Sequence, residues 1–217
     1  LLKNNKLSLF INAKIAQQAG DSRLVIANFK KLLGEEETKL VALSGIVSEK
    51  IKAGDYGSAL TLTKRSIQLS PKNINNINTL FNLQLLTKDW QGARQTLLEK
   101  KKNEIMGRVE FQRKEANLLF LEAKEKRSKG FSKESLDLTL TAIRKNPSFV
   151  AALTFLTELE LTFGNKKRIT KLLQKGWALF PHPDIGKAYC DLVENESAEE
   201  RRNRLTVLTK LKQNNVH

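Results

Sequence analysis

KAGDYGSAL, residues 52–60, holds the punctuation that decides the fold. Its Gly54-Asp55 step joins a residue that accepts a left-handed backbone to one whose carboxylate caps a following helix. Working outward, the same step or a near relative of it stands at Gly20-Asp21, Lys88-Asp89, Gly130-Phe131 and Gly164-Asn165. The successive spacings are 34, 34, 42 and 34 residues. Pro71, Pro147 and Pro181 keep the same phase, each placed where a second helix must end. The longer interval carries eight surplus residues near Lys102 to Arg113, room for an extended linker or a longer helix.

Each unit therefore reads as helix, tight turn, helix. Asp21, Asp55, Asp89 and Asn165 are the expected caps, and Ser132 stands in where Phe131 breaks the rule. Four residues past the cap come Val25, Ala59, Ala93, Ser135 and Ile169, where two helices approach closely. Leu33, Ile67, Ile143 and Trp177 recur twelve residues past the cap, with Lys101 the exception. The predicted helices are 4–19, 22–34, 37–53, 55–69, 73–87, 89–102, 110–129, 132–145, 148–163 and 165–179. A 34-residue helix–turn–helix period is the tetratricopeptide signature. The expected fold is all-α: an α-solenoid with a right-handed superhelix, in which stacked pairs share a core that one pair cannot build alone. Five pairs fill residues 1–181, and two closing helices of the same domain fill 182–217. Ser197-Ala198-Glu199-Glu200 approximates a capping box opening the last of them.

Composition narrows the function classes. The chain has 217 residues, 40% of them hydrophobic and 28% charged, enough to bury a core. Its formal net charge of +15 favours anionic partners. No apolar run is long enough to cross a bilayer. There is one cysteine, Cys190, and there are two histidines, His182 and His217, so no Cys–His zinc spacing exists. No phosphate-binding glycine loop or G-x-G-x-x-G is present. No catalytic constellation emerges, and the expectation is a protein that is not an enzyme and holds no metal.

Several stretches resemble the C-terminal region of proteobacterial HemY proteins. They are AKIAQQAGDSRLVIANFKKLL, GDYGSALTLTKRSIQLSPKN, the run from NPSFVAAL to HPDIGKAYC, and the closing SAEERRNRLTVLTKLKQN. The most specific part is Trp177 to Tyr189, with its tryptophan, PHPD and AY. The resemblance implies the soluble part of a bacterial inner-membrane protein, tethered by an N-terminal anchor and facing the cytoplasm. The start at Leu1-Leu2, without Met, fits such an excised part. It also implies a role in late haem biosynthesis, either as a scaffold for its enzymes or as a protein that binds porphyrin or haem directly. No cofactor is expected in the first case; in the second, His182 and Cys190 are the candidate haem ligands.

Two surfaces are candidate sites. In tetratricopeptide folds the concave wall is lined mainly by the first helix of each pair. Carried onto this chain, that gives Lys14, Ser48, Lys52, Asn75, Asn78, Asn82, Asn117, Lys124, Arg127 and Glu158 as a groove for protein or peptide segments. Asn75, Asn78 and Asn82 share a helical face, and their amides suit an extended peptide backbone. Lys124 and Arg127 suit carboxylates. The second surface is the helix carrying Lys166, Lys167, Arg168, Lys171 and Lys175, with no acidic residue between Asn165 and Pro181. It suits an anionic membrane surface. Nucleic acid is not expected, because aromatic residues do not interleave with these bases.

Overall fold

The computed structural model describes residues 2–103, 106–160, 166–193 and 195–213. Among them the regular structure is entirely helical. The elements are α1 (Leu2–Ala19), α2 (Ser22–Leu32), α3 (Glu36–Lys52), α4 (Tyr56–Leu69), α5 (Ile74–Leu86), α6 (Trp90–Lys102), α7 (Arg108–Ser128), α8 (Ser132–Lys145), α9 (Val150–Glu160), α10 (Lys166–Leu179), α11 (Pro183–Asp191) and α12 (Ala198–Gln213). Gly164-Asn165, the fifth member of the glycine column, and the predicted end of α9 at 163 lie outside the described residues.

The glycine column is one junction built four times. Gly20 has φ +75°, Gly54 +71° and Gly130 +86°. Each donates its N–H to the carbonyl three residues back, and the next residue donates to the carbonyl five back. The second bond runs from Asp21 to Ala16 at 2.9 Å, Asp55 to Lys50 at 2.9 Å, Asp89 to Gln84 at 2.8 Å and Phe131 to Lys126 at 2.9 Å. This Schellman closure satisfies the last carbonyls of one helix. The same aspartates then open the next helix. Asp21, Asp55 and Asp89 accept from the backbone N–H of Leu24, Ser58 and Gly92 at 3.0, 3.1 and 2.9 Å. One residue thus ends one helix and begins another.

Two details differ from the sequence reading or sharpen it. Ser132 is not the cap of α8. Phe131 occupies that position without a side-chain bond, and Ser132 is the first helical residue, its Oγ accepting from Arg127 Nη1 at 2.5 Å. The closure fixes the cap as the residue after the left-handed one, whatever its side chain. In the third repeat Lys88 takes the glycine's place and also its conformation, with φ +57°. A Cβ in that region costs about 1–2 kcal/mol. Lys88→Gly is therefore expected to stabilise the protein by about 0.5–1 kcal/mol once the extra freedom of unfolded glycine is subtracted. A higher urea midpoint at unchanged slope is the readout.

The chain divides into two compact units, Leu1–Ile105 and Met106–His217. In the first, helices pack in chain order, each on its successor from α1 to α6. That is the nearest-neighbour arrangement of an α-solenoid. Its apolar seam runs through Ala13, Val25, Phe29, Leu32, Ala42 and Ile46, then Val47, Ala59 and Leu83. In the second unit, α7 to α9 continue the pattern, and α10, α11 and α12 close around Leu153, Leu156, Ile169, Leu173, Ile185 and Leu208. The positions four past the cap, Val25, Ala59, Ala93, Ser135 and Ile169, are all at most 1% exposed. The positions twelve past the cap are less uniform: Ile143 is buried, while Leu33, Ile67 and Trp177 are half-buried. Lys101 is exposed there, and its neighbour Lys100 is the buried one.

The segment that carries the HemY resemblance packs the end of the second unit. The Trp177 ring lies so close to Gly186 that a Cβ there would come within 3.3 Å of it. Gln174 Nε2 donates to the Tyr189 hydroxyl at 3.2 Å, and the Arg204 guanidinium covers the Tyr189 ring at 4.7 Å. His182 is the N-cap of α11, its Nδ1 accepting from the Asp184 N–H at 3.2 Å. The predicted capping box forms with both reciprocal bonds, Ser197 N–H to Glu200 Oε2 at 2.8 Å and Glu200 N–H to Ser197 Oγ at 3.2 Å. Those two bonds hold the Glu200 carboxyl below its ordinary range.

Candidate functional site

The first helices of three successive pairs, α1, α3 and α5, wall a groove of about 680 Å³ in the first unit. Helical periodicity sets the lining: Phe10, Lys14 and Gln17 follow one face of α1, and Val41, Ser44, Ser48 and Lys52 one face of α3. Asn73, Asn75 and Asn76 close it at the start of α5. Its floor is the Phe29 ring, which reaches up from α2 because α3 has a glycine opposite. A Cβ on Gly45 would lie 2.2 Å from that ring.

The groove is cationic and amide-rich above an aromatic floor. Among the described residues that line it, Lys14 and Lys52 are the charged members and none is a carboxylate. Lys14 Nζ lies 3.1 Å from Gln17 Oε1 and 5.6 Å from the centre of the Phe10 ring. Lys52 is anchored from beneath by Glu49, which is 3% exposed. The Glu49 carboxylate accepts from Lys52 Nζ at 2.7 Å, from Ser22 Oγ at 2.6 Å and from Gln17 Nε2 at 3.3 Å. Burial pushes the Glu49 carboxyl up, but the bonds from Lys52, Ser22 and Gln17 and the charge of Lys52 together outweigh it and hold the group below its ordinary value. One buried acid therefore ties α1, α2 and α3 together and fixes two side chains of the groove wall.

The ten predicted groove residues separate into distinct places. Lys14, Ser48, Lys52 and Asn75 share the groove just described. Asn78 faces α6 instead, its side-chain oxygen accepting from the buried Lys100 Nζ at 2.5 Å, while Asn82 is exposed further along α5. In the second unit Asn117, Lys124 and Arg127 are exposed along α7. Lys124 Nζ sits 5.9 Å over the Phe120 ring, and Arg127 is engaged by Ser132. Glu158 lines a smaller cavity of about 320 Å³ between α9 and α11, with Thr154, Asp184, Lys187 and Asp191. On α10, Lys166, Lys167, Arg168, Lys171 and Lys175 are all exposed.

Of the two candidate haem ligands, Cys190 is buried, and His182 commits Nδ1 to the α11 cap, leaving Nε2. His217 lies outside the described residues. Among the described residues no three His, Cys, Asp or Glu side chains gather as a metal site, and no helix is long and apolar enough to cross a membrane.

No protein-family model matches the chain, and no curated protein matches it. Solved structures do. A crystal structure of MamA protein superposes with a TM-score of 0.50 at 15% identity, over 81% of this chain and 91% of that one. A chain in the structure of Naa15/Naa10 bound to HypK-THB superposes with a TM-score of 0.55 at 14% identity, over 98% of this chain and 32% of that one. The TPR domain of P58(IPK) matches over 99% of this chain and 67% of that one, with a TM-score of 0.48 and 15% identity. At these identities the first two likenesses establish the fold alone, an α-solenoid of tetratricopeptide-like repeats.

Proposed function

We propose that the chain is a non-catalytic protein–protein interaction scaffold whose first unit grips an extended, acidic peptide segment in the groove of α1, α3 and α5. The observation that carries this reading is the groove's composition: two lysines and a run of side-chain amides, with no carboxylate among the described lining residues. Amides pair with both the N–H and C=O of an extended backbone, ammonium groups take its carboxylates, and the Phe10 and Phe29 rings receive an apolar side chain. Glu49 supports the reading because it holds Lys52 and Gln17 in place before any partner arrives, which lowers the ordering cost of binding. The HemY resemblance supplies the setting: a scaffold tethered at a bacterial inner membrane that gathers enzymes of haem biosynthesis.

Selection from a random displayed-peptide library tests the groove. Enriched peptides are expected to carry net negative charge. The double substitution Lys14→Gln and Lys52→Gln is expected to weaken a selected peptide by about tenfold, two charge-assisted contacts at partly exposed positions. Enrichment of neutral or basic peptides, or affinity unchanged in the double variant, would count against the reading.

A further inference from the structure

The exposed face of α10 is basic along most of its length and apolar at its end. At 100° per residue, Lys171 falls opposite the buried side of the helix formed by Ile169, Leu173 and Gly176. Lys167 and Lys175 flank Lys171 one turn to either side, and all three are exposed. One further turn along this ridge the charges stop at Leu179, which is 58% exposed. Phe180, the next residue and just past the end of α10, is 51% exposed and stacks on the His182 ring at 6.1 Å and 21°. The sequence from Lys166 to Pro181 contains no acidic residue to offset the lysines.

We propose that this stripe docks on bilayers that carry anionic lipid headgroups, the lysines meeting the headgroups and Leu179 with Phe180 entering the interfacial layer. Two features favour a bilayer over an acidic protein segment. The stripe is the convex side of a helix and lines neither of the cavities described above, whereas a peptide is held in a groove. It also joins basic residues to an exposed aliphatic and an exposed aromatic side chain at one end, the pairing by which a surface helix lies in a membrane interface. Charge alone would bring the helix to any polyanion; the apolar end selects a surface it can enter.

Co-sedimentation with vesicles tests this directly. The chain is expected to bind vesicles of phosphatidylcholine doped with phosphatidylserine and to leave pure phosphatidylcholine vesicles unbound. Lys167→Gln, Lys171→Gln and Lys175→Gln are each expected to weaken binding by about fivefold. The pair Leu179→Ala and Phe180→Ala is expected to weaken vesicle binding while leaving retention on heparin unchanged. Lys14→Gln with Lys52→Gln is the control and should leave vesicle binding intact, so the two surfaces fail independently. All of these positions but Lys14 and Lys52 lie on α10 or next to it, and helical circular dichroism verifies that each variant is folded. Equal binding to neutral vesicles, lysine variants that bind like the parent, or apolar variants that lose heparin and vesicles alike would each overturn the proposal.

Discussion

Replacing Glu49 with alanine is expected to lower the stability of the first unit by about 3 kcal/mol, seen as a fall in the urea midpoint. The substitution leaves Ser22 Oγ, Gln17 Nε2 and Lys52 Nζ without the carboxylate they share, and it opens space where the side chain was. Lys52 contributes least, since it is more than half exposed and finds water. The hydroxyl and the amide come from α2 and α1, so most of the loss falls on the packing of those helices against α3. Glu49→Gln keeps the shape but offers one acceptor oxygen in place of two, and about half the loss is expected. The pH dependence has a definite sign. The folded Glu49 carboxyl titrates below its unfolded value, so its contribution is complete above the ordinary glutamate range and disappears as pH falls through the lower folded value. Asp55 behaves alike. The bond from Lys50, then the bonds from Ser58, hold it at about 2, so the junction it closes weakens on acidification below the usual aspartate range. The gap between the parent and Glu49→Ala should therefore narrow in an acid titration as pH falls, leaving only the loss that does not depend on ionisation. Parallel curves would count against this account.

Gly45→Ala is expected to destabilise the same unit by about 1–3 kcal/mol, although alanine is the better helix former. Helix propensity alone predicts a gain near 1 kcal/mol. The added Cβ, however, would sit 2.2 to 2.5 Å from three carbons of the Phe29 ring. Phe29 is 1% exposed and packs edge-on to Phe10 at 6.5 Å, so the ring has nowhere to retreat except into the groove or against α1. Either movement alters the floor on which a bound side chain would rest. The variant should thus lose stability and peptide affinity together, whereas Lys14→Gln, which leaves the Lys52–Glu49 pair intact, should lose affinity alone. A Gly45→Ala protein more stable than the parent would show that Phe29 does not hold this position.

The repeat was legible because its signal is local. A left-handed residue and the one after it set where each helix ends and begins, and both are neighbours in sequence. Lys88 shows how strong that logic is, since it adopts the glycine conformation against its own preference. Phe131 shows the same from the other side, because it caps α8 without a capping side chain and displaces Ser132 from the role. The site was legible only in part, because its signal is not local. Lys14, Ser48, Lys52 and Asn75 follow from knowing which helix of each pair faces inward. Asn78 follows the same rule and still turns away, since its partner Lys100 lies 22 residues on and a lysine after Leu97 reads as surface. Glu49 was missed for the same reason: a glutamate among Ser48, Lys50 and Lys52 looks solvated until Ser22 and Gln17, 27 and 32 residues earlier, are brought to it. The Trp177 to Tyr189 motif carries the family resemblance in sequence, and in the structure its residues pack the end of the second unit.

The hinge between paired helices needs only a backbone that can turn left and the peptide bonds on either side of it. Nothing in it asks the flanking turns for a particular side chain. Two chains assembled on such hinges can therefore drift until no stretch of one aligns with the other, while their backbones still overlay. Descent in proteins of this kind is written in the rhythm of the turns and fades first from the letters between them.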